Sequence, residues 1–555
     1  MLITDPCSQT KTTRVVAAEG NKAPARARPV RRPVSESGAG VDCAGAAGTG
    51  RHPPSPFARR TSLPTPVAPP QSIEDALRRR RDELAIRTTF PDDVLAEAER
   101  IVAMRTSAEG RSVAGSASHP EHVSRTDVAF VTIDPPGSRD LDQAVHVARE
   151  GDGYRLRYAI ADVGHWVARG SAIEREAWLR GLTFYAPDAR QPLYPPALSE
   201  GAASLLPDVE RPAVLFDFTL DASAALVRSR IERALVRSRA QLTYAQLQSH
   251  AAATRAGEPW AETLALLAEL GPRLLAREQA RGGVSLPARE QHVQRRAAES
   301  LGYHLVYESP NEAERWNAQI SLLTGHVAAE RMLAAGVGLL RTMPPFAARD
   351  VARLRRVALT LGFAWPEGRS YPEFVHGIDA RHPRIDVLVR QARSVMRGAD
   401  YVAFEGAPPE QPLHGALAFT YAHATAPLRR LADRYVLDLL VALEAGRAPS
   451  PDEAATLHAL AEVMNLADGK ASRFERWIVD AAEAWVLRDR VGATLDAVVI
   501  DGRRDEVEVQ VEEPPVRAVL PLGGASPPPL GARVPVRVVA VDVAAGAIVL
   551  AAVGA

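Results

Sequence analysis

Val131-Thr-Ile-Asp-Pro-Pro-Gly-Ser-Arg-Asp-Leu-Asp-Gln143 puts three carboxylates, Asp134, Asp140 and Asp142, directly after an apolar run that reads as a strand. Asp140 and Asp142 flank Leu141, so in extended backbone both carboxylates point one way while the leucine faces inward. Asp134 ends the strand, and Pro135, Pro136 and Gly137 turn the chain so that it can converge on that face. Crowded carboxylates repel unless a cation neutralises them, and hard oxygen donors suit Mg2+ or Mn2+ rather than zinc. A divalent-metal site acting on phosphate is one reading; a solvated acidic turn is the other, and composition and spacing alone lean to the turn. The loop does not match a calcium-binding EF-hand, which wants acidic or amide groups at positions 1, 3 and 5 and glycine at 6.

The 555 residues are enough for several domains, and 46% hydrophobic residues can bury a sizeable core. Lys+Arg and Asp+Glu are both 67, so a basic channel for a polyanion would have to be local and offset by acidic surface elsewhere. Cys7 and Cys43 are the only cysteines and both lie near the start, which excludes a disulfide framework or a cysteine zinc site in the fold. No apolar run approaches the roughly 20 residues that span a bilayer, and no charged start leads into an apolar signal segment. The basic, acid-poor opening has the composition of a transit peptide, but its prolines spoil an amphipathic helix, and a cytoplasmic location is expected.

Residues 1–70 are rich in Ala, Arg, Pro, Gly and Ser without hydrophobic periodicity and read as a disordered basic arm. A helical segment is expected over 71–122, with Ser72 capping a helix to Ile86 and Pro91 opening one to Arg105. Strands dominate from 123 to 245, for example Val128 to Ile133, Tyr154 to Ala161 and Val214 to Leu220. Helical spacing covers 258–345 and 427–490, giving an α+β fold. The tail alternates apolar and polar residues in Glu506 to Val511, Val516 to Leu520, Val534 to Val541 and Ala547 to Leu550, as in a five-stranded barrel of the OB type. Its few aromatics and its acidic strand residues Glu506, Glu508, Glu512 and Glu513 ill suit a single-strand-binding platform, so the barrel reads as a weakened or purely structural copy.

The aspartate segment resembles the signature of the ribonuclease II / ribonuclease R family, written T-I-D-P, polar positions, then D-x-D-D. Further blocks follow the same pattern: Tyr158-Ala-Ile-Ala-Asp-Val-Gly-His165, Arg180-Gly-Leu-Thr-Phe-Tyr-Ala-Pro-Asp188, Arg237 to Tyr244, Ile320 to Ala329, and His423-Ala-Thr-Ala-Pro-Leu-Arg-Arg430 with Asp433. The resemblance implies an RNB-type catalytic domain over 123–445, a mixed sheet with packed helices, a helical segment 446–490 packed on it, and an S1/OB-like β-barrel over 491–555. The cold-shock barrels that precede the catalytic domain in better-known members have no counterpart in the residue pattern. What the family implies is a 3'-to-5' exoribonuclease releasing nucleoside 5'-monophosphates from single-stranded RNA with Mg2+, or Mn2+. Neither a membrane nor an obligate protein partner is implied.

Residue by residue, the resemblance makes Asp134, Asp140 and Asp142 metal-binding, with Asp140, Asp142 and Arg429 catalytic. Tyr185 and Tyr244 fall on tyrosines near the RNA 3' end, Gln319 on a position that reads the ribose, and Arg430 and His423 beside backbone phosphate. Departures are Gln143 in place of a fourth aspartate, Ala426 in place of serine, Gln319 in place of glutamate, and Leu286 where a stacking phenylalanine is expected. Gln143 keeps a neutral oxygen for the metal but removes a charge, which implies weaker Mg2+ affinity or more reliance on Mn2+. Two alternatives stay open: an RNA-binding protein with a weakened or inactive nuclease site, and a nuclease of relaxed sugar choice that also degrades DNA. His146, His165 and His326 follow no zinc spacing and carry no expected role.

Overall fold

A computed structural model describes residues 73–109, 122–250, 257–287, 290–295, 303–502, 505–511 and 513–553. The expected arm 1–70, with Cys7 and Cys43, and the expected cap Ser72 lie outside the described residues. Two helices come first, α1 (Ile73–Glu83) and α2 (Asp92–Glu109), close to the expected spans.

Strands β1 (Phe130–Ile133), β2 (Gln143–Glu150) and β3 (Gly153–Ala161) form an antiparallel meander. Helix α3 (Ala172–Arg180) and a short hairpin of β4 (Phe184–Tyr185) and β5 (Arg190–Gln191) separate it from β6 (Glu210–Leu220) and β7 (Leu226–Leu242). The long β7 pairs antiparallel with β6 and parallel with β1, while β6 pairs with β3, so the five strands close on themselves into a mixed ring. Alternation shows in the burial: Ala234, Val236 and Ser238 of β7 are buried while Arg233, Leu235, Arg237 and Arg239 beside them are part-exposed. The parallel pairing with β7 brings the end of β1, and hence Asp134, against Leu242.

Helices α4 (Ala261–Ala280) and α5 (Glu312–Ala335) cover the ring. The helical pattern expected over 258–345 is broken between them by a β-hairpin, β8 (Glu290–Arg295) with β9 (Tyr303–Glu308). Val293, Tyr303 and Leu305 are buried there in a second apolar cluster, and that tertiary burial outweighs local helix preference. Three helices, α6 (Ala348–Thr360), α7 (Tyr371–His376) and α8 (Ile385–Arg393), hold their own core around Leu354, Trp365, Phe374 and Leu388. The expected helical stretch 427–490 is two helices, α9 (Leu431–Glu444) and α10 (Pro451–Leu487). Gly446 with φ +72 ends the first, and the reciprocal capping of Ser450 and Glu453 with Pro451 at the first turn starts the second.

The tail forms a five-stranded antiparallel sheet of β10 (Thr494–Gly502), β11 (Glu506–Val511), β12 (Val516–Pro521), β13 (Arg533–Asp542) and β14 (Ala547–Ala552), ordered β12-β11-β10-β13-β14 and nearly closed. Val499, Val507, Val509, Val511, Val516, Val536 and Val538 fill its interior. One outer face is docked on α8: Ile500 is buried with the three-helix core, Gln391 Nε2 donates to the Ile500 carbonyl at 2.9 Å, and Arg390 meets Glu508 at 2.6 Å. Among the described residues, no helix is long and apolar enough to cross a membrane.

Candidate active site

The ring presents its aspartates through three local devices. The Asp134 N–H donates to the Leu242 carbonyl at 2.9 Å, fixing the carboxylate at the exit of β1. Gly137, with φ +78, allows the reversal that follows, where an L side chain would be strained. Leu141 is fully buried, its N–H donating to Ser204 Oγ at 3.0 Å, and Ser204 Oγ donates in turn to the Arg139 carbonyl at 2.6 Å. The inward leucine turns Asp140 and Asp142 to the other side, as the alternation requires.

The facing wall is the segment 422–430. It lies against α5 because Gly325 leaves room: a Cβ there would stand 2.2 Å from Tyr421 Cε2 and 2.4 Å from the Ala422 carbonyl oxygen. Buried Asp433 shapes the segment, accepting the Ala426 N–H at 2.7 Å and the Arg430 guanidinium through Nε at 3.0 Å and Nη2 at 2.9 Å. Backbone bonds from Thr183 N–H to the Arg429 carbonyl and from Leu431 N–H to the Gly181 carbonyl tie it to the approach of β4. The segment thereby meets Asp142: Leu428 N–H donates to Oδ1 at 2.7 Å, and Arg429 Nε lies 3.4 Å from Oδ2. Asp140 is held separately by Arg190 Nη1 at 2.9 Å on Oδ1 and by the Tyr185 hydroxyl, which donates to Oδ2 at 3.3 Å. Arg190 also reaches Glu200 at 2.6 Å.

Asp140, Asp142, Arg429 and Tyr185 are thus gathered as expected, with Asp134 close enough to feel the charges of Asp140 and Arg429. The other expected residues have protein partners. Gln143 donates through Nε2 to the Thr425 carbonyl and accepts the Tyr158 hydroxyl on Oε1 at 3.2 Å, so it buttresses the 422–430 segment rather than presenting a fourth ligand. Its amide does here what a fourth carboxylate could not, because a carboxylate has no proton to donate. Tyr244 is buried in the main core with its hydroxyl near Asn317, since an aromatic opening a short helix beside β7 is drawn inward. Gln319 is buried and donates to Glu278 at 2.8 Å. His423 Nδ1 lies 2.6 Å from the Tyr401 hydroxyl, Arg430 is spent on Asp433, and Leu286 packs against the three-helix core.

Arg190, Tyr158 and Ser204 escape a reading of the chain alone. Arg190 had a signal: Pro187-Asp188 is a turn pair, and a four-residue turn sets residue 190 opposite 185, as the register Tyr185↔Arg190 has it.

Among the described residues, no group of three or more His, Cys, Asp or Glu is arranged to hold a metal ion. The carboxylates are instead turned toward protein partners, Asp142 to the Arg429 guanidinium and the Leu428 N–H, Asp140 to the Arg190 guanidinium and the Tyr185 hydroxyl. The donor chemistry nevertheless suits a hard divalent cation: Asp134 Oδ2 is buried without a hydrogen-bond partner, and burying several carboxylates together is costly without added positive charge. Burial pushes the Asp134 carboxyl up to about 6 and that of Asp142 up to about 7, Asp140 adding to both. Arg429, and for Asp142 the Leu428 N–H, pull the other way.

An unfolded aspartate ionises near pH ~4, so between there and pH 7 the folded chain binds more protons than the unfolded chain through these two groups. Their contribution to metal-free stability is therefore greatest at the acid end and is lost as pH rises through about 7. Melting in chelator should fall across that window, and Asp142→Asn should flatten part of the fall. Parallel curves for parent and variant would contradict the assignment.

A second expectation concerns Gln143→Asp. The change removes the donor to the Thr425 carbonyl and sets a carboxylate near it, so metal-free stability should drop by about 1–3 kcal/mol. Excess Mg2+ should return part of the loss. Melting temperatures with and without the ion check this, and an unchanged metal-free melt would count against the buttress.

Comparison with known proteins agrees with this architecture. Residues 124–445 match the family described as RNB domain, and residues 493–553 match the RNase II-type exonuclease C-terminal S1 domain. The chain is 28% identical over 396 residues to Ribonuclease R of Escherichia coli, an alignment covering 67% of this chain and 48% of the relative. A probable exosome complex exonuclease of Caenorhabditis elegans is 29% identical over 324 residues, covering 57% of this chain and 34% of its own length. The chain thus spans about half the length, or less, of these relatives. Among solved structures, Mycoplasma genitalium RNase R in complex with ribose methylated single-stranded RNA superposes with TM-score 0.76 at 18% identity, covering 87% of this chain and 78% of that one. Yeast Ssd1, described as a pseudonuclease, superposes with TM-score 0.59 at 18% identity, covering 74% and 51%. With a match running from residue 124 to residue 445 of 555 over the closed strand ring and its facing loop, this chain belongs to the RNB-domain family.

Proposed function

We propose that the chain is a metal-dependent 3'-to-5' exoribonuclease that hydrolyses single-stranded RNA to nucleoside 5'-monophosphates. The observation that carries this reading is the meeting of Asp142 with Arg429 and the Leu428 N–H, two elements separated by nearly three hundred residues brought to one buried point beside Asp134 and Asp140. Direction and product rest on the family resemblance. In the reaction, water oxygen bonds to the terminal phosphorus as the bond to the preceding 3' oxygen breaks. That oxygen leaves with a proton as the new 3' hydroxyl. Asp134, Asp140 and Asp142 would hold Mg2+ or Mn2+, which supplies positive charge to the phosphate and acidifies water. Arg429 would stabilise charge building on phosphate oxygens, which requires it to give up part of its contact with Asp142. Tyr185 offers a ring to the terminal base, a contact indifferent to sequence because every base has a π-face.

The experiment is product analysis of 3'-labelled oligoribonucleotide: release of labelled nucleoside 5'-monophosphate, abolished by chelator, supports the reading. Internal fragments or 3'-phosphorylated products would overturn it.

A second reading, an RNA-binding protein with an inactive site, is favoured by two observations: the carboxylates are engaged by arginines, and Gln143 is committed to structure. Unchanged label with retained RNA binding at saturating Mg2+ or Mn2+ would select it.

A further inference from the structure

Asp140 owes its orientation to a hairpin that is itself gripped from outside the RNB match. Strands β4 and β5 are two residues each, joined by Ala186-Pro-Asp-Ala189 with the Ala186 N–H donating to the Ala189 carbonyl at 3.2 Å. So small a ribbon has little stability of its own, and its aim depends on what anchors it. Successive residues point to opposite sides: Tyr185 reaches Asp140, whereas Phe184 is buried in a cluster with Leu77 of α1, Tyr303 of β9 and Phe474 of α10. The turn carries Asp188, which is paired with Arg81 of α1, 107 residues upstream. Both terminal nitrogens of Arg81 engage both carboxylate oxygens of Asp188, Nη1 to Oδ2 at 2.9 Å and Nη2 to Oδ1 in a still shorter contact. Arg81 is buried over the Phe474 ring, and α1 is further held by Glu74, which accepts the Tyr303 hydroxyl at 3.2 Å.

We propose that Arg81 is a positioning residue for Asp140, acting through Asp188 to set the β4–β5 hairpin and with it Tyr185 and Arg190. The forked pair fixes both the distance and the rotation of the turn, which a single point charge does not. The proposal rests on Asp140 being a carboxylate of the working site. It assigns helix α1, which precedes the catalytic domain, a part in aiming that domain's chemistry.

The test compares the full chain with Arg81→Ala, Arg81→Lys, Asp188→Ala and the exchange Arg81→Asp with Asp188→Arg. Four quantities are measured: single-turnover cleavage at saturating RNA, the Mg2+ concentration giving half the rate, RNA affinity in chelator, and hydrogen-exchange protection of 183–191. Arg81→Ala and Asp188→Ala should cleave about ten- to a hundredfold more slowly and need more Mg2+, as with other supports of metal-site residues, while RNA affinity falls by no more than the loss of one stacking contact, that of Tyr185. Arg81→Lys should fall between, the exchange should recover much of the rate, and hairpin protection should drop without loss elsewhere. Parental rate and Mg2+ demand in Arg81→Ala overturn the proposal, as does global loss of protection that neither Arg81→Lys nor the exchange relieves. If the parent does not cleave RNA, the proposed function fails separately. Hairpin protection still decides whether Arg81 sets the β4–β5 hairpin, and protection unaltered by Arg81→Ala or Arg81→Lys overturns the proposal.

Discussion

Asp142→Asn should lower the cleavage rate by about a thousandfold or more, equivalent to some 4 kcal/mol or more in the barrier, while RNA binding and the fold persist. The substitution preserves shape, and the asparagine oxygen can still accept the Leu428 N–H that Asp142 takes at 2.7 Å. What disappears is one negative charge, at the aspartate whose carboxyl is pushed up to about 7 by burial and by its acidic neighbours. A neutral amide would bind a divalent ion weakly and could not balance Arg429. The expected signature is thus a large fall in rate, little change in RNA affinity, and a metal-free melt at alkaline pH no lower than the parent's. Retention of a tenth or more of the activity would place the chemistry elsewhere.

Arg429→Lys should cost about a hundred- to a thousandfold in the maximal rate, with a much smaller effect on the substrate concentration needed, as befits charge stabilisation confined to the transition state. Lysine keeps the positive charge but has neither the Nε that stands 3.4 Å from Asp142 nor the planar fork that spans two phosphate oxygens. Arg429→Ala should also raise the pH at which the site takes up metal, because Arg429 holds the Asp142 carboxyl below the value that burial alone would impose. Rate against pH in both variants separates the two effects. An Arg429→Lys enzyme as fast as the parent would leave the guanidinium as a structural partner of Asp142 alone.

Residues that act through local geometry were readable from the chain, and residues that act through distant approach were not. The alternation around Leu141 put Asp140 and Asp142 on one face, and a strand ending at Ile133 put Asp134 at its exit; both follow from the two-residue period of extended backbone. The barrel strands were equally plain, since valines at every second position leave few other ways to bury them. Closure of the ring was not readable, because it depends on one 17-residue strand pairing with β1 and β6 at once. Nor was the β8–β9 hairpin, whose inward residues find their cover in α1 and α10 far along the chain. The same limit applies to single residues. Gln143 looked like a changed metal ligand, yet the Thr425 carbonyl 282 positions away takes its amide proton. Gln319 and Tyr244 carry resemblance to RNA contacts, but burial among α4, α5 and the ring gives them protein partners first.

The central claim is tested most directly by following 5'-labelled single-stranded RNA and DNA of the same sequence with the full chain, in Mg2+, in Mn2+ and in chelator. The account predicts a ladder of RNA products shortening from the 3' end, dependent on added metal, absent with Asp142→Asn, with the DNA left whole. RNA that is bound but remains full length at saturating metal would contradict it.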